Sequence, residues 1–222
     1  MPAAGCIQTA MPAFDRSLLP PKPDLAFENA LWQAGVAAVA GIDEAGRGAL
    51  AGPVAAGAVV LPQNAGLEAF LEGVRDSKQM KPLARQAARE RIIQHALAWG
   101  VGFASPAEID QMGIVNATRL AAWRAVESLS VKPAHLLLDY LFLPEVSLPQ
   151  TALVKGDCRS LSIAAASVLA KTARDALLQE LDLVYPGYGF NSHKGYGTQA
   201  HRQALQCLGP SPVHRHSFTF HI

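Results

Sequence analysis

The stretch Val36-Ala37-Ala38-Val39-Ala40-Gly41-Ile42-Asp43-Glu44-Ala45-Gly46-Arg47-Gly48, followed by an apolar run from Pro53 to Val60, decides the architecture of this 222-residue chain. Its first part is small and β-branched without helical spacing. Its second part is a glycine-rich turn, and the next apolar run begins almost at once. Two strands joined this closely are expected to pair as an antiparallel hairpin. Adjacent side chains of a strand point to opposite faces, so bringing Asp43 and Glu44 to one site is expected to require a distortion, which the following glycines would ease.

Strands and helices alternate outward from this hairpin. Asp24 to Ala34 suits a short helix, preceded by a proline-rich segment read as a loose arm over residues 1 to 25, with residues 26 to 222 as one domain. Downstream, Asp76-Ser77-Lys78 lies in a loop, and Pro82 opens a helix expected to reach Trp99. Val101 to Phe103 is a short strand. Ser105-Pro106-Ala107-Glu108 has the pattern of a capping box, and helical spacing resumes from Asn116 to Leu129. His135-Leu136-Leu137-Leu138-Asp139 is an apolar run ending in a carboxylate, as expected of a buried strand. Thr151 to Val154 is the next strand, with Lys155-Gly156-Asp157 at its end. A long Ala/Leu helix covers Ser160 to Glu180, a Gly- and aromatic-rich loop spans Tyr185 to Tyr196, and a last helix runs from Thr198 to Leu208. The expected class is α/β, a mixed sheet flanked by helices.

The chain carries 19 Lys and Arg against 18 Asp and Glu, so net charge gives no signal for a nucleic-acid partner, and any such signal must be local. Half of the residues are hydrophobic, which excludes disorder over the whole length. No apolar run is long enough to span a membrane and no signal peptide is evident. Three separated cysteines suit a reducing compartment, and a cytoplasmic location is expected.

Asp43 and Glu44, with Asp139 and Asp157 poised at two further strand ends, supply the oxygen ligands that a pair of hard divalent ions requires. Such ions sit about 4 Å apart and clamp a scissile phosphate. Gly46-Arg47-Gly48 offers closely spaced backbone groups to a phosphate or sugar hydroxyl. The alternative is a plain hairpin turn with solvated acids. Histidines crowd the last 30 residues, but they lack zinc-ligand spacing.

Taken together, GIDEAGRGALAGPV (41–54), DSK (76–78), EIDQMGIVNAT (108–118), LLLD (136–139), KGD (155–157), IAAASVLAKTARD (163–175), YPGYGFNSHKGYGT (185–198) and HRHSF (214–218) resemble, in family order, ribonuclease HII, the type 2 ribonuclease H family. The resemblance implies a ribonuclease H-like α/β fold with a helical C-terminal region. It further implies hydrolysis of the RNA strand of RNA/DNA hybrids and incision 5′ to ribonucleotides embedded in duplex DNA, leaving 3′-hydroxyl and 5′-phosphate ends. Asp43, Glu44, Asp139 and Asp157 would be catalytic ligands of two Mg²⁺ or Mn²⁺ ions. Gly46, Arg47 and Gly48 would read the 2′-hydroxyl, and Tyr196 would stack on the adjacent deoxyribose. Ser77, Lys78, Lys155 and Lys194 would contact substrate. Lys171 and Arg174 are either phosphate contacts or members of an internal ion pair. The expected partners are hybrid and ribonucleotide-containing duplexes, bound by a monomer without a membrane.

This chain departs from the family pattern at Ala49, where Pro is usual, at Tyr140, where many members have Gly, and at His216, where a second Arg is frequent. The competing readings are a type 3 ribonuclease H, which the short proline-rich N-terminus disfavours, and a non-catalytic hybrid-binding module, which would lack one of the carboxylates. A dinucleotide-binding protein is disfavoured because Gly46, Gly48 and Gly52 precede a strand rather than a helix.

Overall fold

A computed structural model describes residues 14–15, 19–64 and 66–220. The hairpin is formed by β1 (Val39–Ala45) and β2 (Val54–Val60), paired antiparallel from Ala40↔Val60 to Ala45↔Ala55. β3 (Ala98–Ala104) adds antiparallel to β2. On the other side, β4 (His135–Asp139) pairs parallel to β1, and β5 (Gln150–Leu153) pairs parallel to β4. The result is one mixed sheet in the order β3-β2-β1-β4-β5.

The helices are α1 (Ala26–Gln33), α2 (Leu67–Phe70), α3 (Pro82–His95), α4 (Pro106–Glu127), α5 (Leu161–Val184), α6 (Phe190–His193) and α7 (Gln199–Leu208). Helix α5 covers one face of the sheet with α1 and α3, over Val39, Val59 and Leu137. Helix α4 covers the other, over Ala40, Ile42, Ala56, Ala58 and Leu138. The period-two alternation of a strand therefore sends Asp43 toward α5 and Glu44 toward the α4 side.

Small residues let α5 approach closely. A Cβ on Gly41 would lie 2.2 Å from the Ser162 carbonyl carbon, and one on Gly57 would lie 2.3 Å from the Ala166 oxygen. These distances are below any van der Waals contact, so glycine at both positions is a packing requirement.

Two local expectations are refined, a third is met and a fourth lies mostly outside the described residues. Helix α3 stops at His95, and Trp99 lies in β3 opposite Val59, because pairing with β2 overrides the helical preference of this apolar stretch. Gly113 (φ 78°, ψ 156°) breaks α4, which accounts for the interrupted periodicity. The capping box at Ser105 and Glu108 is present in both directions. The arm read over residues 1 to 25 falls mostly outside the described residues; at its end Asp24 bridges to Ser160 and Leu25 is buried.

Tyr140 follows β4 with φ 57° and is 74% exposed, so its ring gains little packing in return for a left-handed backbone. Tyr140→Gly relieves that strain and is expected to raise the melting temperature by about 1–3 °C. An unchanged or lower value would refute the strain account.

Candidate functional site

The β1–β4 ladder ends at Ile42↔Leu138, and the next residues along the two strands are Asp43, Glu44 and Asp139. No bulge is needed to gather them. β1 keeps its register with β2 through Ala45, contrary to the expected distortion, and Asp43 at the end of the pairing to β4 is close enough to Glu44, Asp139 and Asp157 for their charges to act on it. Opposite Asp43 stands Gly57, whose missing side chain leaves room for the α5 backbone at Ala166, and the Ser167 hydroxyl on that helix favours the charged form of Asp43. Asp139 Oδ1 accepts the Gly156 N–H at 2.8 Å, which ties β4 to the 3-10 turn Gly156–Cys158. That turn is entered through Lys155 in the left-handed conformation and delivers Asp157, 4% exposed, to the same strand ends.

The cluster is electrostatically uncomfortable by itself. Burial, then the charges of Glu44 and Asp139, push Asp43 well above the usual carboxylate range. Burial and the neighbouring Asp157 raise Asp139 to about 6. Asp157 is raised by burial and by Asp76. Asp43 Oδ2 and Asp157 Oδ1 are buried without a hydrogen-bond partner. Buried, partnerless carboxylate oxygens are costly unless a cation meets them, and a set of hard oxygen donors fits a divalent ion such as Mg²⁺ or Mn²⁺. Lys78 supplies positive charge nearby. Partial burial opposes its ionisation, but Asp43, Asp76, Asp157 and Glu44 together hold its ammonium above the ordinary value.

Asp76 was not among the sequence candidates, yet its carboxylate, Asp157 and the Cys158 thiol offer ligand atoms within 4.8 Å of one another. The available signal was the Asp-Ser-Lys pattern itself, since Asp76 caps the 3-10 turn Ser77–Gln79 through the Lys78 N–H. Burial pushes the Cys158 thiol up to about 11, which keeps it protonated and unreactive at neutral pH.

The Gly46–Gly52 turn is braced by two fully buried arginines. Arg215 donates from Nε to Gly52 O (3.0 Å), from Nη1 to Arg47 O (2.7 Å) and from Nη2 to Gly46 O (2.7 Å). Arg174 donates to Pro53 O (2.9 Å), Ala51 O (3.1 Å) and Lys194 O (2.9 Å). Neither meets a carboxylate in an ion pair among the described residues. Arg174 therefore belongs neither to a phosphate contact nor to the expected ion pair; burial commits its donors to backbone carbonyls. Sequence reasoning missed the Arg215 brace, whose only signal was its place in the HRHSF segment. Ala49 closes the turn without the usual proline, donating its N–H to Gly46 O (3.3 Å) and pairing with Tyr196.

The exposed Arg47 reaches back to Glu44 Oε1 at 3.1 Å, linking turn and carboxylates. Gly46 is buried and Gly48 exposed. The Tyr196 ring lies beneath the Arg174 guanidinium at 5.4 Å and the Lys171 ammonium at 5.7 Å. Lys171 itself pairs with Asp175 at 2.6 Å. Lys155 is exposed, and the Lys194 ammonium turns back to the Asn191 carbonyl. Ser77 is buried and its hydroxyl bonds that of Ser167 at 2.9 Å. His216 donates its N–H to Asp110 Oδ2 at 3.0 Å, so its departure from the family pattern leaves the anchoring of the last segment intact.

A family model described as Ribonuclease HII matches residues 40–221. The chain is 58% identical over 197 residues to the Ribonuclease HII of Synechococcus sp. (strain JA-3-3Ab), covering 89% of this chain and 88% of that one. It is 50% identical over 193 residues to that of Moorella thermoacetica, covering 87% and 92%. Among solved structures, the ribonuclease H2 of Pyrococcus horikoshii superposes with a TM-score of 0.68 at 25% identity, over 82% of this chain and 94% of that one. Bst-RNase HIII in complex with Mn²⁺ shares the fold alone, with a TM-score of 0.62 at 17% identity over 86% and 70%. No helix among the described residues is long and apolar enough to cross a membrane. With its carboxylates gathered at the parallel strand ends of a ribonuclease H-like sheet, the chain belongs to the ribonuclease HII family and is a metal-dependent hydrolase that cuts RNA/DNA hybrids.

Proposed function

We propose that this chain also incises duplex DNA on the 5′ side of a single embedded ribonucleotide, using two divalent ions, Mg²⁺ or Mn²⁺, held by Asp43, Glu44, Asp139 and Asp157. The observation that carries the metal assignment is the pair of partnerless buried oxygens, Asp43 Oδ2 and Asp157 Oδ1, beside Asp139, in a group of three aspartates whose ionisation burial opposes. When bound, such ions activate the attacking water and offset charge on the leaving 3′ oxygen. The chain's own groups do the rest. Backbone atoms of Gly46-Arg47-Gly48 approach the 2′-hydroxyl, the one group that separates RNA from DNA at that nucleotide. The Tyr196 ring packs on the next sugar and disfavours a hydroxyl there. Lys78, Lys155 and Lys194 meet phosphates and fix register without reading sequence. The enzyme acts as a cytoplasmic monomer.

The test is a duplex with one ribonucleotide, incubated with Mg²⁺, with Mn²⁺ and with chelator, the products being sized for 3′-hydroxyl and 5′-phosphate ends. Cleavage in either metal and none with chelator is expected; hybrid cleavage without single-ribonucleotide incision would overturn the proposal.

Metal binding is expected to be proton-linked. With Asp139 near 6 and Asp43 and Asp157 raised, the metal-free folded chain holds protons that the unfolded chain has released, so the stability these acids contribute falls as pH rises, for Asp139 through about 6. His201 and His214, lowered by burial to about 4 from an ordinary 6.5, act in the opposite sense, and their contribution rises between those values. Divalent ions displace only the carboxyl protons. The increase in melting temperature on adding Mn²⁺ is therefore expected to be larger at pH 7.5 than at pH 5, by about 3 °C. A metal effect independent of pH would contradict it.

A further inference from the structure

His193, His201 and His214 take no part in the chemistry above, yet the bonds around them permit a single arrangement of protons. The Ser211 N–H donates to His214 Nδ1 at 2.9 Å, so that nitrogen carries a lone pair and the His214 proton sits on Nε2. The Ser211 hydroxyl lies 2.8 Å from the same Nδ1. His214 Nε2 is 3.0 Å from His201 Nε2, which must therefore accept. The His201 proton is left on Nδ1, 3.0 Å from the Tyr196 carbonyl oxygen. Both rings are 0% exposed, and His193 stacks on His201 at 4.3 Å. His193 is fixed independently, accepting from the Gly195 N–H at 3.2 Å and donating to Tyr188 O at 2.8 Å.

Tyr196 needs this hold because it is flanked by Gly195, with φ 79°, and Gly197. Glycines on both sides leave its peptide planes with little intrinsic restraint. The Gly195 carbonyl is already fixed by the N–H groups of Leu50 (2.8 Å) and Ala51 (3.3 Å), on the turn that carries Gly46 and Gly48. Beyond Tyr196, its carbonyl is met by the Thr198 N–H at 2.8 Å and by His201.

We propose that His201, held by His214, is a positioning residue that sets the Tyr196 ring against the Gly46–Gly48 turn and so sets the preference for an RNA-to-DNA junction. The proposal rests on Tyr196 being the group that packs against the deoxyribose. Burial keeps both rings neutral at physiological pH, as the proton arrangement requires, since a second proton on either ring would set two N–H groups against each other.

The readout is the ratio of kcat/KM on a single-ribonucleotide duplex to kcat/KM on a continuous hybrid. His201→Leu is expected to lower it about tenfold, chiefly through KM, the size of one lost hydrogen bond with its buried acceptor. His201→Asn, whose amide keeps a donor toward the Tyr196 carbonyl, is expected to stay within about threefold of the parent. Equal losses in the two variants would overturn the proposal. Tyr196→Ala separates the two layers: if it lowers the ratio while His201→Leu does not, the positioning role is wrong; if it leaves the ratio unchanged, the assignment of Tyr196 fails and this proposal falls with it. Should His201→Leu not fold, two-bond ¹H–¹⁵N spectra of the full chain decide. They are expected to show the proton on Nδ1 of His201 and on Nε2 of His214, and the reverse tautomers would overturn the relay.

Discussion

Asp43→Asn is expected to reduce hybrid cleavage by at least about a thousandfold while making the metal-free protein more stable. The two effects share one cause. Asp43 is 3% exposed, feels the charges of Glu44 and Asp139, and leaves Oδ2 without a donor. Ionising it in the absence of a cation costs folding free energy, because burial and the neighbouring acids oppose its charge. The amide of Asn has nearly the same shape and carries no charge to desolvate, so the apoprotein is expected to melt higher than the parent. The same change removes a ligand, so Mn²⁺ should no longer raise the melting temperature appreciably. Activity within tenfold of the parent would remove Asp43 from the metal site. Lost activity with a lower melting temperature would instead indicate a packing role.

Arg215→Leu carries the largest expected loss of stability, about 3–5 kcal/mol, or roughly 10 °C in a chain of this size. The guanidinium fills a buried space and satisfies the carbonyls of Gly46, Arg47 and Gly52 at once. A leucine replaces some of the volume and none of the donors. Arg215→Lys is expected to recover little, because a single ammonium cannot reproduce a planar fork aimed at three oxygens. Hybrid cleavage should fall in both variants, since the turn they release carries Arg47 and its contact to Glu44. If Arg215→Leu melted within about 2 °C of the parent, the carbonyls would not depend on this side chain.

The parts of this architecture legible in the sequence are those encoded locally. The hairpin, the capping box at Ser105 and the acids closing the strand runs announce themselves through period-two alternation, spacing and glycine. The gathering of Asp43 and Glu44 was visible as a motif but not as geometry. It depends on where the β1–β4 ladder stops, a fact of register that neither strand carries alone. Trp99 was misplaced because a helix-compatible stretch was claimed by pairing with β2. The bracing arginines were hidden for a related reason. Arg174 has the spacing of a polar helix face, and the carbonyls it serves lie over 100 residues away along the chain, at Ala51 and Pro53. The bond between the Ser77 and Ser167 hydroxyls joins residues 90 positions apart, which no local pattern announces.

The contact between Arg215 and the carbonyls of Gly46 and Arg47 joins two turns separated by up to 169 positions. Chains are synthesised from the N-terminus and domains fold largely as units. The residues of the hairpin thus emerge long before the side chain that stiffens its loop. Every newly made molecule passes through an interval in which the loop exists without its brace, and that interval closes only after Arg215, 169 positions beyond Gly46, has emerged.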